Sequence, residues 1–197
     1  ELAPAVDGFL VGSSVMAQDD IDLACRKLIF GEQKVCGLTA PEYAKAAVDA
    51  GAQFGGLIFT EKSPRCVNAQ QAQLITEQVP NLNYVGVFVN HKRQEIAELA
   101  KALNLFAVQL HGDEDQSYID SLKKQLPESC QIWKALAVDK AVPVLNLNVE
   151  SFVLDGKAPG SGQAFGWQAL AETEQDLSRC FLAGGINVTN IEQATEL

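Results

Sequence analysis

The sequence predicts an α/β protein, a parallel β/α barrel, on three observations. Short apolar, β-branched runs alternate with amphipathic helical patterns from end to end. The runs recur at intervals of roughly 20–30 residues, the period of β/α repeats. Polar and glycine-rich residues cluster just after many of the runs, as they do on the C-terminal face of a barrel.

The strand-like runs, in order, are Gly8–Ser14, Lys34–Leu38, Gly55–Phe59, Tyr84–Val89, Ala107–His111, Gln131–Leu136, Phe152–Asp155 and Cys180–Gly184. Their near-continuous apolarity suits parallel strands covered on both faces. Between them, Ile96, Leu99, Ala100 and Leu103 fall at the i, i+3, i+4, i+7 spacing of a helix that buries one face. Ile21, Ala24, Cys25, Leu28 and Ile29 repeat that pattern in the first helix. Thr39 and Glu42 fit a capping box, and Gly51 stops the helix that follows. Right-handed β/α repetition gives an open doubly wound sheet or a closed barrel. No G-x-G-x-x-G follows a strand at a helix start, which weighs against a dinucleotide-binding sheet.

Composition excludes several classes of function. The chain has 197 residues, 47% of them hydrophobic, enough for one well-buried domain. No apolar run reaches the roughly 18 residues that span a bilayer, and no secretory leader is read, so no membrane partner is expected. A net charge of −10 argues against nucleic acid, whose sequence-independent binding runs on clustered Lys and Arg. Cys25, Cys36, Cys66, Cys130 and Cys180 are dispersed and form no C-x-x-C pair, and His91 and His111 are the only histidines. Neither a zinc site nor a disulfide framework is expected, and the location expected is a reducing cytoplasm.

Candidate chemistry lies at the strand ends. Cys36 closes Lys34-Val35-Cys36 and is followed by Gly37, which permits close approach of a ligand. Lys34, two residues earlier, points to the same side, and a nearby cation favours the thiolate, a usable base. The bland alternative is a small apolar residue of the barrel interior. Asp155 closes an apolar strand and is either a loop cap or a site carboxyl; burial would favour its protonated, acid form. Gly160-Ser161-Gly162 and Gly184-Gly185 follow the last two strands, where exposed backbone N–H groups make a phosphate cradle. Arg65 sits in the loop after Gly55–Phe59, over the barrel mouth, where a guanidinium grips a carboxylate through two parallel hydrogen bonds. Gln109 and His111 alternate with Leu110 and should both face inward. His111 is either a satisfied core histidine or a substrate contact. His91 is assigned nothing.

These motifs, in this order, resemble phosphoribosylanthranilate isomerase, an enzyme of tryptophan biosynthesis. Lys-Val-Cys-Gly-Leu-Thr at 34–39, Gly-Leu-Ile-Phe at 56–59 and Ser-Pro-Arg at 63–65 come first. Val-Gly-Val-Phe-Val-Asn at 85–90, Val-Gln-Leu-His-Gly at 108–112 and Trp-Lys-Ala at 133–135 follow. Val-Leu-Asp at 153–155, Gly-Ser-Gly at 160–162 and Leu-Ala-Gly-Gly at 182–185 complete the run, which covers Lys34 to the end. The resemblance implies a (β/α)8 TIM barrel and an Amadori rearrangement of N-(5′-phosphoribosyl)anthranilate to the 1-deoxyribulose phosphate, with no metal or organic cofactor. It implies Asp155 as acid, Cys36 as base, Arg65 on the anthranilate carboxylate, and Gly160, Ser161, Gly162, Gly184 and Gly185 around the phosphate. Gln109 and His111 complete the expected substrate-binding set.

Residues 1–31 are similar to something else, the last β/α unit of indole-3-glycerol phosphate synthase, a lyase and decarboxylase fused ahead of the isomerase in some bacteria. Gly12 and Ser13 fit its phosphate-binding turn. The implied boundaries are a synthase remnant over 1–31 and the isomerase barrel, strands one to seven, over 32–197, with a fused synthase domain as partner in the parent. The isomerase's eighth strand is not found after Leu197. An incomplete chain explains that. Alternatively, Phe9–Val11 fills the eighth slot by pairing with both Lys34–Cys36 and Phe181–Ala183. Three other readings compete: an inactive truncated barrel that only binds phosphorylated ligands, a decarboxylating synthase, and an unrelated phosphosugar barrel with a structural Cys36.

Overall fold

The computed structural model describes residues 13–156 and 166–195. The described residues open with two helices, α1 (Ser13–Met16) and α2 (Ile21–Phe30). Strand and helix then alternate as far as the fifth strand: β1 (Lys34–Cys36), α3 (Pro41–Asp49), β2 (Phe54–Ile58), α4 (Ala69–Gln78), β3 (Asn83–Phe88) and α5 (Arg93–Ala102). β4 (Ala107–Leu110), α6 (Gln116–Lys123), β5 (Gln131–Val138), β6 (Ser151–Gly156), α7 (Gln168–Ala171), β7 (Cys180–Leu182) and α8 (Ile191–Thr195) follow. The seven strands form one sheet in sequence order, every neighbouring pair parallel.

The sheet is curled, and its side chains show it. Phe54 of β2 lies 5.2 Å from Trp133 of β5 and 5.8 Å from Phe181 of β7, ring centre to ring centre. Strands that far apart in the order touch only if the inner face closes on itself. That inner cluster holds Phe54, Val85, Ala107, Trp133, Ala135 and Val153. Alternate strand residues, Leu57, Tyr84, Phe88, Val108, Leu110, Ile132 and Phe152, point the other way and join Ala44, Ala72, Ile75, Ile96 and Ile119 from the helices. Full burial of each larger apolar side chain, such as Phe88, Ile75 or Ile96, contributes about 1.5–3 kcal/mol. Among the described residues no strand pairs with the free side of β1 or of β7. The Phe9–Val11 pairing and Gly12 lie outside the described residues.

Three local expectations are corrected and a fourth holds. Ser13 and Ser14 open α1 and so are helical, not the end of a strand. α3 has Ala40 as its N-cap and no side-chain cap; Pro41, whose fixed φ suits the first helical turn, starts the helix one residue later than a Thr39–Glu42 box requires. Such a box occurs on α4 instead, where Asn68 and Gln71 cap each other's backbone N–H groups. In α2 the apolar stripe is not the buried face: Ile21, Leu28 and Ile29 are 43%, 56% and 68% exposed, while Arg26 is 5% exposed. Arg26 reaches under the barrel to the Ala52 and Asn81 carbonyls and pairs with Asp22, while Ala24 and Cys25 of the stripe are half-buried. Gly51 does end α3: with φ +92 its N–H bonds to Val48 O, and Ala52 N bonds to Ala47 O.

Candidate active site

Register brings the predicted residues to one rim. Lys34 pairs with Phe54 and Cys36 with Gly56 across β1 and β2, so all four lie on the inner face. Gln109 and His111 share a face with inward Ala107, and Asp155 shares one with inward Val153.

Cys36 is exposed at the mouth and Asp155, at the end of β6, is 8% exposed. The Asp155 carboxylate accepts from its neighbour Gly156 N at 2.7 Å. Its other oxygen stands 3.8 Å from His111 Nε2. His111 Nδ1 in turn lies 3.4 Å from Gln109 Nε2, and Gln109 Oε1, buried, has no hydrogen-bond partner among the described residues. Burial pushes the His111 imidazole down; Asp155 pulls it up, Lys134 and Lys34 push it down again, and the result is below the ordinary imidazole range. Burial and the two lysines thus disfavour the imidazolium form, against the pull of Asp155.

Glycines let these groups approach. A Cβ on Gly56 would lie 2.6 Å from Cys36 Sγ and 3.0 Å from Lys34 Nζ, so thiol and ammonium converge on the space that Gly56 leaves open. Gly37, expected to be an open seat for a ligand, is instead covered by the Arg65 side chain: a Cβ there would meet Arg65 Cδ at 2.7 Å. From that position Arg65 Nη1 donates to Cys36 O at 3.1 Å, which ties the loop after β2 to the end of β1. Gly184 (φ +82) lies close against the Asp155 carboxylate, a Cβ there being 2.4 Å from Asp155 Oδ1. Gly185 O accepts from the amides of Asn187 and Asn190. Gly160, Ser161 and Gly162 lie outside the described residues, as does the Ser13 side chain.

Two charged residues escaped the sequence reading. Lys134 and Glu114 are buried, 4% and 5% exposed, and bond to each other at 2.9 Å. The signal was a lone Lys inside the apolar run Ile132–Leu136, which burial obliges to find a partner. Burial pushes Glu114 up, but the Lys134 ammonium and the Asn90 N–H outweigh it and hold the carboxyl below its usual range. A separate open groove of about 660 Å³ lies between α4 and α5, lined by Cys66, His91, Glu95 and Leu99 among others; none of the residues above borders it. Among the described residues no cluster of three His, Cys, Asp or Glu is placed to hold a metal ion, and no helix is long and apolar enough to cross a membrane.

The architecture recurs in known proteins. The chain is 48% identical over 202 residues to tryptophan biosynthesis protein TrpCF of Vibrio cholerae, with all of this chain and 42% of that relative aligned. It thus spans about two fifths of the length of the curated relatives it matches. The crystal structure of phosphoribosyl anthranilate isomerase from Thermus thermophilus superposes with a TM-score of 0.73 at 30% identity, covering 84% of this chain and 82% of that one. A further isomerase structure, in complex with reduced 1-(o-carboxyphenylamino)-1-deoxyribulose 5-phosphate, gives a TM-score of 0.69 at 26% identity over 84% of this chain and 81% of that one. Residues 33–197 match the N-(5′-phosphoribosyl)anthranilate (PRA) isomerase family, and the chain, with its seven parallel strands in sequence order, belongs to that family.

Proposed function

We propose that this chain is the isomerase part of a bifunctional enzyme of tryptophan biosynthesis, converting N-(5′-phosphoribosyl)anthranilate to 1-(2-carboxyphenylamino)-1-deoxyribulose 5-phosphate. The observation that carries the reading is the gathering of Cys36, Asp155 and His111 on the inner face of one rim, with Arg65 across the mouth, in a chain of this family.

Asp155, as a carboxylic acid, gives its proton to the ribose ring oxygen; the C1′–O bond breaks and the anilino nitrogen supplies the electron pair, forming a protonated Schiff base. The Cys36 thiolate then takes the C2′ proton, and the C–H electrons neutralise the iminium to give an enolamine. Tautomerisation, with a proton returned to C1′, yields the C2′ ketone. Each step is a proton transfer between positioned groups, for which no cofactor is required. Lys34 Nζ stands beside Cys36 Sγ at the space that Gly56 leaves open. Arg65 lies exposed at the mouth, where it would hold the anthranilate carboxylate. Gln109 Oε1, an unpartnered buried acceptor, would take a hydrogen bond from the substrate. His111 would contact the substrate beside the acid, and the phosphate would lie on Gly184-Gly185 and on Gly160-Ser161-Gly162.

In this reading residues 1–31 close a preceding indole-3-glycerol phosphate synthase domain, with Gly12 and Ser13 its residual phosphate turn, and the isomerase occupies 32–197. The exposed apolar stripe of α2 supports this, being the face a second domain would cover. The place of action is the cytoplasm, in keeping with five unpaired cysteines. The test is direct. Full-length protein is expected to quench the fluorescence of the anthranilate substrate at a rate proportional to enzyme; binding of phosphorylated ligands without fluorescence loss would show an inactive barrel instead.

A further inference from the structure

Lys134 belongs to the back of the barrel wall. It alternates with inward Trp133 and Ala135 and shares its side with outward Ile132. Its ammonium, 4% exposed, donates to Leu110 O at 3.4 Å, to Gly112 O at 2.6 Å and to Glu114 Oε2 at 2.9 Å. All three of its protons are thus used, and two of them hold the carbonyls of the residues on either side of His111. Glu114 completes the grip. Its Oε2 also accepts from Gly112 N at 2.9 Å, and its Oε1 accepts from Asn90 N at 2.8 Å, which brings in the loop after β3. Asn90 returns to the same loop, its side chain accepting from Asp113 N at 2.8 Å.

The Lys134 and Glu114 side chains lie behind the strands, yet their bonds converge on the turn that carries His111, the residue that stands against Asp155. An isolated buried ion pair is a poor stabiliser, because desolvation of both charges offsets their attraction. A pair whose remaining hydrogen bonds all fall on the backbone of one short turn makes that turn rigid. We propose that Lys134 and Glu114 are positioning residues: from behind the wall they fix the backbone on both sides of His111 and so hold its ring against Asp155. The proposal rests on the reading of Asp155 as the acid. A misplacement of about 1 Å is enough to cost on the order of a hundredfold in rate, so a rigid His111 turn has a kinetic value that exceeds its worth in stability.

The charges that face His111 come from every side: Asp155 on β6, Lys34 on β1, Lys134 on β5 and Glu114 on its own turn. The two partners act on it with opposite sign. Lys134→Met removes a neighbouring cation and leaves the Glu114 anion, so the His111 midpoint should rise. Glu114→Gln removes the anion and leaves the cation, so it should fall. A mere loss of packing moves both variants the same way.

The experiment is a ring-proton NMR titration of the full-length protein and both variants, with His111→Gln to assign the His111 ring by its loss, together with steady-state isomerase kinetics. The double variant Glu114→Gln/Lys134→Met leaves no uncompensated buried charge, and so remains testable if either single variant fails to fold. Opposite midpoint shifts in the singles, and kcat reduced at least about tenfold in the double with KM within about twofold, are expected. Unmoved midpoints, or kcat retained in the double variant, overturn the positioning claim. An unmodified protein without turnover overturns the isomerase reading instead, and the titration, which needs no substrate, distinguishes the two failures.

Discussion

Cys36 and Gly56 face each other across the first strand pair, and the Cys36 sulphur occupies the space that any side chain at 56 would need. The contact joins a candidate base to a residue with no chemistry of its own. Gly56→Ala should therefore act on the thiol: its methyl, 2.6 Å from Sγ and 3.0 Å from the Cys36 Cα, forces the strand end aside. The expected cost is about 1–3 kcal/mol of stability with a loss of kcat larger than the loss of folded protein explains. Denaturant unfolding and kinetics on the same preparation check this; unchanged kcat would separate the thiol from catalysis.

Gly184→Ala tests the other end of the pair. A left-handed φ and a Cβ 2.4 Å from Asp155 Oδ1 make the substitution strained twice over. Destabilisation of about 1–3 kcal/mol and a fall in kcat are expected. A variant with wild-type stability and turnover would show that Asp155 has room to move.

Arg65→Ala should mainly raise KM, since a grip on the anthranilate carboxylate is felt in the ground state as much as in the transition state. A smaller loss of kcat is expected because the same guanidinium ties down the Cys36 carbonyl. An unchanged KM refutes the assignment.

Strand positions were legible because a strand buried on both faces is written as an unbroken apolar run: each of the seven lies within two residues of its run at its start and at its end. The site was legible where a polar residue closed such a run, as with Cys36, Asp155 and the Gln109–His111 alternation. What hid was everything that depends on partners distant in sequence. Arg26 sits in an amphipathic stripe whose apolar members read as the buried face, yet its 26-residue reach to Ala52 O decides which face turns inward. Lys134 and Glu114 lie 20 residues apart, and nothing local joins them.

Arg26→Ala should weaken the fold and spare the chemistry. It orphans the Ala52 and Asn81 carbonyls beneath the barrel, at about 1–3 kcal/mol for each one that stays dry. Thermal unfolding should begin several degrees lower while kcat and KM at 25 °C stay within about twofold. A large kcat loss in still-folded protein would mean that the lower face communicates with the rim.

Acid should destabilise the protein in two stages. The His111 imidazole is held below its ordinary range, so the unfolded chain takes up that proton more readily than the folded one. Its contribution is complete above the ordinary imidazole range and is lost as pH falls below it. The Glu114 carboxyl, also held low, adds a loss as pH falls through the carboxylate range. Urea midpoints measured from pH 7.5 downward should fall, and His111→Gln should flatten the first stage only. An equal slope in that variant would remove His111 as its source.

The central claim is that Cys36 is the base of an isomerase site whose acid is Asp155. Turnover of N-(5′-phosphoribosyl)anthranilate by the full-length Cys36→Ala protein, followed by anthranilate fluorescence beside product-analogue binding, tests it most directly. Abolished turnover with affinity largely intact is the expected result. Turnover near that of the unmodified protein would contradict it.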